Sequence, residues 1–183
     1  MFRHSFSYNG NMKCVLCRIE DLSELYDLYD RVIDNQRFDE YSADWTKDVY
    51  PSWNDLKDHL KMDKVYVLKD EEKIIGAGIV SLKEDPIYKG GNWSVIFPDE
   101  EIAVLHLFAI DPEYRGRGLA LKLLENIIHE TKKTSKAIHL DAVKGNLAAA
   151  KLYEKAGFLY QGDKEVCYED TGNILVSLFE YVF

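Results

Sequence analysis

Basic charge is what this sequence has too little of. Lys and Arg number 23 against 32 Asp and Glu, a formal net charge of -9 with histidine neutral. Phosphate backbones are held by clustered Lys and Arg, so nucleic acid is excluded as a general partner. Long-range steering by such a surface suits cationic substrates such as amines. No apolar run approaches the ~20 residues of a membrane span. No charged-then-apolar leader opens the chain either, so the expectation is a cytoplasmic protein without membrane contact. Cysteine is scarce: Cys14, Cys17 and Cys167 make an odd count, which argues against a disulfide framework. Cys14 and Cys17 read as CxxC, but inside the strand-like run MKCVLCRI residues three apart point to opposite faces. No helix N-terminus follows to activate a thiolate, so both are expected as buried free thiols. Repeats, low-complexity tracts and Pro/Gly linkers are lacking. The first eleven residues, MFRHSFSYNGN, show no pattern. They are expected to be a flexible tail, or to lie upstream of a true start at Met12.

What is present is patterned for a single domain over residues 12–183, and 46% hydrophobic content suits one sizeable core. Residues 12–19 read as a strand. Asp21 with Glu24 resembles a capping box, and Leu22, Leu25, Tyr26, Tyr29 and Ile33 follow helical spacing. An aromatic, acidic stretch follows, and Pro51 with Ser52 marks the entry to a helix over about 53–61. VYVL (65–68) and IIGAGIVSL (74–82), joined by KDEEK, predict an antiparallel hairpin. DPIYKGGNWSVIFPDEE reads as loop. VLHLFAI (104–110) is nearly continuous apolar sequence, hence a central strand buried on both faces. A helix over 118–132 places Ala120, Leu123, Leu124, Ile127 and Ile128 on one face. A strand at 137–143, a helix from Asn146 to about 156 stopped by Gly157, and two closing strands complete a mixed α/β sheet with helices on both sides.

The informative element is the elbow between strand 104–110 and the next helix, Arg115-Gly116-Arg117-Gly118. A glycine-rich turn at a helix start aims free amides and the positive end of the helix dipole at one spot, which suits a phosphate. A solvated turn has the same composition. A P-loop is excluded, because no Gly-Lys-Ser/Thr ends the turn. A dinucleotide fold would use Gly116 and Gly118 as the first glycines of GxGxxG and Asp141 as the ribose acid. Leu121 then occupies the third glycine position, and too little chain follows for the rest of a doubly wound sheet.

Arg115-Gly116-Arg117-Gly118-Leu119-Ala120 matches the R/Q-x-x-G-x-G/A signature of the GCN5-related N-acetyltransferase (GNAT) superfamily. LDAVKGNLAAAKLYEKAGF, residues 140–158, is similar to the family's second motif, in which strand, Asn, helix and Tyr end in Gly-Phe. The hairpin before and the strands after follow the family's order, so the resemblance covers about residues 12–183. A Tyr-Pro at 50–51 and the DPIYK loop at 85–89 look like one subfamily. The resemblance implies a mixed, mostly antiparallel sheet splayed at its centre, and acetyl transfer from acetyl-CoA to a primary amine, without a metal. It implies that pantetheine bonds to the backbone at Phe108, Ala109 and Ile110. The pyrophosphate would sit on the amides of Arg115, Gly116, Arg117, Gly118, Leu119 and Ala120. Asn146 would cap its helix and touch the CoA arm. A silent acyl-CoA-binding protein shares these features, and a homodimer is compatible with them.

Four side chains are candidates for catalysis by the same resemblance. Tyr153 matches the tyrosine that protonates the leaving thiolate, although its helical face, with Ala149, Leu152 and Ala156, is also a packing face. His106 is the only ionisable group in 104–110, on a face with Val104, Phe108 and Ile110, and is a candidate base; a core histidine is the alternative. Many relatives carry Glu where this chain has Val104, so Glu101, with Glu100, is the second candidate. Phe38, Tyr41, Trp45, Tyr50 and Trp53 alternate with Asp39, Glu40, Asp44 and Asp48. In this family the segment lines the acceptor pocket, and aromatic faces with carboxylates attract ammonium groups. Tyr41, Trp45 and Tyr50 are the residues expected to touch the acceptor; a satellite core is the competing role.

Overall fold

The structure is a computed structural model that describes residues 6–8, 12–41, 43, 45–168 and 172–183. The candidate acceptor residue Asp44 lies outside these residues. The strands are β1 (Phe6–Tyr8), β2 (Met12–Leu16), β3 (Lys64–Asp70), β4 (Lys73–Ser81), β5 (Ile102–Ile110), β6 (Ala137–Val143), β7 (Leu159–Tyr168) and β8 (Gly172–Val182). The helices are α1 (Leu22–Asn35), α2 (Trp53–Met62), α3 (Leu119–Thr131) and α4 (Leu147–Lys155). One sheet runs in the order β1-β2-β3-β4-β5-β6-β8-β7. Residues 6–8, in a stretch without sequence pattern, pair with β2 as its edge strand.

Every pairing in this sheet is antiparallel except β5–β6. A doubly wound sheet is parallel throughout its core, so the dinucleotide alternative fails on topology. The single parallel pair is also where the sheet opens. β5 and β6 meet only from Ile102–Ala137 to Val104–His139. β5 stays paired with β4 as far as Ile110. The C-terminal half of β5 therefore has β4 on one side and a gap on the other.

Helices cover both faces. α3 turns Leu119, Leu123, Leu124, Ile127 and Ile128 onto the face that holds Ile75, Ala103, Leu105 and Ile138. Each such side chain contributes on the order of 1.5–3 kcal/mol of burial. Gly78 brings that helix close: a Cβ there would lie 2.8 Å from Ile127 Cδ1 and 3.0 Å from Phe108 Cδ2. α1 and α2 cover the other face, with Leu25, Leu28, Tyr29 and Leu56 packed on Val67, Ala77, Ile79 and Leu107. Among the described residues no helix is long and apolar enough to cross a membrane.

Two local expectations are corrected. Asp21 does not cap α1 with its side chain. It faces backward, accepting from the Arg18 amide at 3.3 Å and pairing with Lys69 at 2.6 Å, because a 3-10 turn at Ile19–Asp21 precedes the helix. The stretch read as plain loop between β4 and β5 is partly core: Tyr88 is buried and packs with Val104, Val166 and Leu178. The cysteines behave as expected of opposite faces. Cys14 is buried under α3, bonded to Asn126, and Cys17 is half-buried on the α1 side. Burial pushes both thiols up to about 12, which suppresses thiolate.

Candidate active site

The elbow is an open turn that leads into a helix start without a side-chain cap. Asp111 accepts from the Glu113 amide to set a 3-10 turn at Pro112–Tyr114, and Gly116 and Gly118 then take φ of 75° and 73°. Gly118 is the N-cap of α3 and has no side chain with which to satisfy the helix's first amides. Those amides stay available for a ligand. A Cβ at Gly116 or Gly118 would meet nothing within 4 Å, so the space in front of the turn is open. A hollow of about 230 Å³ lies there, lined by Ile110, Tyr114, Arg115, Gly116, Gly118, Leu119, Ala120, Leu121, Leu152 and Lys155. The arginines are tied within the protein. Arg115 pairs with Asp39 at 2.7 Å, and Arg117 donates to the Glu113 carbonyl from above the Tyr114 ring. Arg115 still lines the hollow, and Lys155 adds a cation from α4 that sequence reasoning did not single out.

The opened half of β5 contains a bulge. Ile79 faces His106 while Ala77 faces Ala109, so β5 carries one residue more than β4 over this span. Leu107 takes the strain, with φ of 47°. Left-handed backbone costs a bulky residue on the order of 1–3 kcal/mol. Part is recovered because its carbonyl accepts a buried 2.6 Å hydrogen bond from the Tyr29 hydroxyl on α1. The bulge corrects the expected shared face of Val104, His106, Phe108 and Ile110. Phe108 and Ile110 pack on the α3 side with Leu105, whereas Val104 belongs to the opposite face. One inserted residue reverses the alternation beyond it. The Asp111 amide bonds the Ile75 carbonyl on β4, and strand alternation then aims the Ile110 backbone groups away from β4, toward the gap.

His106, half-buried, stands on the other side of the sheet from the elbow. It lines a cavity of about 360 Å³ with Tyr50, His59, Ser81, Asp85, Ile87 and Cys167. Burial holds its imidazole below the ordinary histidine range, with partial opposition from Asp85. A neutral imidazole near pH 7 is what a base requires. His59 and Asp63 were not singled out in the sequence, although spacing of four on one helix was the available signal. His59 Nδ1 lies 2.7 Å from Asp63 Oδ2.

The remaining candidates divide. Tyr153 is buried in α4, 5.5 Å from Phe179 and 6.0 Å from Phe158 between ring centroids. Burial, then the charge of Asp141, raises its phenol. Asn146 caps α4, its Oδ1 accepting from the Ala149 amide at 3.0 Å. Glu101 is paired with Lys136 at 2.7 Å and sits just before β5, at the end opposite the elbow. Glu101 lines neither cavity. Of the acceptor candidates, Tyr50 lines the His106 cavity. Trp45 packs edge-on against Tyr29 at 5.6 Å, with its backbone held at both ends by Gln36, in the satellite core. Tyr41 lies against the turn before α4, where a Cβ on Gly145 would come 2.8 Å from its ring. Asp48 accepts from the Tyr26 hydroxyl.

Sequence reading also missed a buried polar cluster beside the site. His139, 0% exposed, lies between Glu84 at 2.6 Å and Glu180 at 3.3 Å, under the stacked ring of Trp93 at 3.6 Å. Ser94 donates to Glu180 from its amide at 3.0 Å. These residues come from the β4–β5 loop and two strands far apart in sequence, so no spacing advertises them.

Known proteins resemble this chain in sequence and in fold. Residues 42% identical over 57 positions occur in the [ribosomal protein bS18]-alanine N-acetyltransferase of Escherichia coli (strain K12). That match covers 31% of this chain and 38% of that protein. The spermine/spermidine N(1)-acetyltransferase of Bacillus subtilis (strain 168) is 34% identical over 61 residues, covering 32% of this chain and 40% of that protein. Among solved structures, a GNAT-family acetyltransferase from Streptococcus pneumoniae superposes with a TM-score of 0.70 at 20% identity, covering 94% of this chain and 100% of that one. The yncA protein of Salmonella typhimurium, solved with its cofactor acetyl-CoA, gives 0.69 at 16% identity and 94% coverage of both chains. The profile of the acetyltransferase (GNAT) family spans residues 21–158, and with the split sheet and its elbow in place the chain belongs to that family.

Proposed function

We propose that this chain transfers an acetyl group from acetyl-CoA to a primary amine held in the His106 cavity. The observation that carries the reading is the gap beyond Val104, with an amide cradle at its elbow end and a histidine-lined cavity across β5. The fit to CoA rests on two features: open space before Gly116 and Gly118, and an α3 N-terminus without a side-chain cap. Pyrophosphate sits on the amides of residues 115–120, with Arg115 and Lys155 adding charge. The pantetheine arm follows the unpaired side of β5 at Phe108, Ala109 and Ile110, and touches Asn146. Tyr50 flanks the acceptor, while Tyr41, against Gly145, and Trp45, packed on Tyr29, stand outside the cavity wall.

Each residue then has a task. His106, neutral because it is desolvated, accepts a proton from the bound ammonium and exposes its lone pair. The nitrogen attacks the thioester carbonyl carbon; the C–S bond breaks and its electron pair stays on sulfur. Tyr153 donates a proton to that sulfur, and the second proton shed by the nitrogen restores the phenol. Burial keeps the Tyr153 phenol protonated through the neutral range. Glu101 has no task in this scheme, since it is paired with Lys136 at the end of β5 opposite the elbow.

The acceptor is a cationic amine. The relatives named above act on the alanine of a ribosomal protein and on spermine or spermidine, both of which present a primary amine. Asp85 and Tyr50 on the cavity wall provide a carboxylate and an aromatic face for such a group. Thiol release from acetyl-CoA with spermidine, phenethylamine and an alanine-initiated peptide tests the reading. Turnover of at least one is expected. Acetyl-CoA binding without turnover of any amine would leave a silent acyl-CoA-binding protein.

A further inference from the structure

Acetylating an ammonium group releases one net proton. The nitrogen sheds two, the leaving sulfur takes one, and the other must reach solvent. His106 is a poor terminus for it, because burial disfavours its charged form. The cavity holds a second imidazole. His59, on the last turn of α2, is bonded through Nδ1 to Asp63 and keeps 21% of its side chain exposed. Burial would raise the Asp63 carboxyl, but the hydrogen bonds from His59 and Ser81 outweigh it and hold Asp63 below its ordinary value. A carboxylate bonded at Nδ1 fixes the ring and leaves Nε2 to accept a proton.

The sheet sets the path. Ser81 is directly opposite Val104 across the β4–β5 ladder. His106, two residues further on, is its diagonal neighbour, within reach of long side chains. Asp63, which caps the end of α2, contacts Ser81, and His59 lines the same cavity as His106. Asp85 from the β4–β5 loop faces the same space and favours a positive charge there, while Tyr50 and Cys167 complete the wall.

We propose that His59, oriented by Asp63, is the proton outlet of the acceptor cavity, taking the ammonium proton onward from His106 and delivering it to solvent. The step moves one proton from imidazolium to imidazole and forms or breaks no other bond. It rests on the reading of amine acetylation at His106.

The test compares wild-type protein with His59→Ala and Asp63→Asn, using acetyl-CoA and the best of the three amines above. His59→Ala should lower kcat about 10- to 100-fold, less than loss of a direct base can cost. KM for acetyl-CoA should hold, and free imidazole should restore part of kcat, which a purely structural residue would not allow. Asp63→Asn should lower kcat and enlarge its solvent deuterium isotope effect; this arm decides if His59→Ala does not fold. Wild-type kcat in His59→Ala, a loss that imidazole does not relieve, or an Asp63→Asn enzyme with unchanged kcat and isotope effect would overturn the proposal. Wild-type protein silent with all three amines is a different result, and it removes the acetyl-transfer reading as well.

Discussion

At the scale of single residues, the roles proposed for Tyr153 and His106 make opposite protonation demands. A buried phenol resists ionisation, so Tyr153 stays a donor throughout the neutral range. Tyr153→Phe keeps the ring against Phe158 and Phe179 but removes the proton. Steady-state kinetics should show kcat reduced roughly 10- to 1000-fold with acetyl-CoA affinity little changed. A fall in melting temperature without a rate effect would make it a packing residue. His106 has the reverse sign. Its folded pKa lies below 6.5, so the unfolded chain binds the proton first as pH falls. Stability assigned to neutral His106 is therefore complete above 6.5 and lost as pH drops from there toward the folded value. Denaturant titrations of wild type and His106→Gln should diverge above pH 6.5 and converge below it. For wild type, kcat should stay level from pH 8 to about 6.5 on the same account of a neutral base.

Elements decide where those residues stand. The Gly116–Gly118 elbow and the N-terminus of α3 act as one unit, and Gly118→Asp tests it. The new Cβ meets no atom of the protein, so space is not the obstacle. The left-handed backbone at φ 73° costs an L residue on the order of 1–2 kcal/mol, and the new carboxylate repels phosphates at the proposed site. Calorimetry should find a folded protein with acetyl-CoA affinity reduced at least about tenfold; unaltered affinity would remove the phosphate site from the elbow. The β4–β5 loop is a second unit, fastened to the sheet through Glu84, His139 and Glu180. His139→Ala would leave two buried carboxylates without their shared partner. Removing one member of such a cluster costs about 3–5 kcal/mol. Thermal unfolding should show a large fall in melting temperature, and, since Glu84 adjoins Asp85, a raised KM for the amine before any change for acetyl-CoA. The elbow was legible because glycine, arginine and a helix start are local signals. The clamp was not, because its three members meet only when β6 and β8 pair, His139 opposite Glu180.

Across the whole molecule, the acidic balance becomes specific only where a carboxylate reaches the cavity. The acidic stretch at 38–53 was expected to provide it. Of its acids, Asp39 pairs with Arg115 and Asp48 with the Tyr26 hydroxyl, while Asp85, from a stretch read as plain loop, lines the cavity. Asp85→Asn should raise KM for a cationic amine several-fold in low salt and less in high salt, because screening already weakens attraction between charges near solvent. Initial rates at two ionic strengths check this, and a salt-independent KM in both proteins would make Asp85 a loop cap only. The sequence by itself determined the alternation of strands and helices, the elbow, the Asn146 cap and the family, since each is written in contiguous residues as period, turn chemistry or motif. Only the tertiary structure decided that His106 faces away from Phe108 and Ile110, because one extra residue at Leu107 inverts the alternation beyond it and nothing in VLHLFAI marks it. Pairing between distant segments likewise decided that Glu101 stands away from both cavities and that His59, Asp63 and Asp85 stand near His106: strand register and helix docking are non-local, and a linear sequence carries them only through the core they bury.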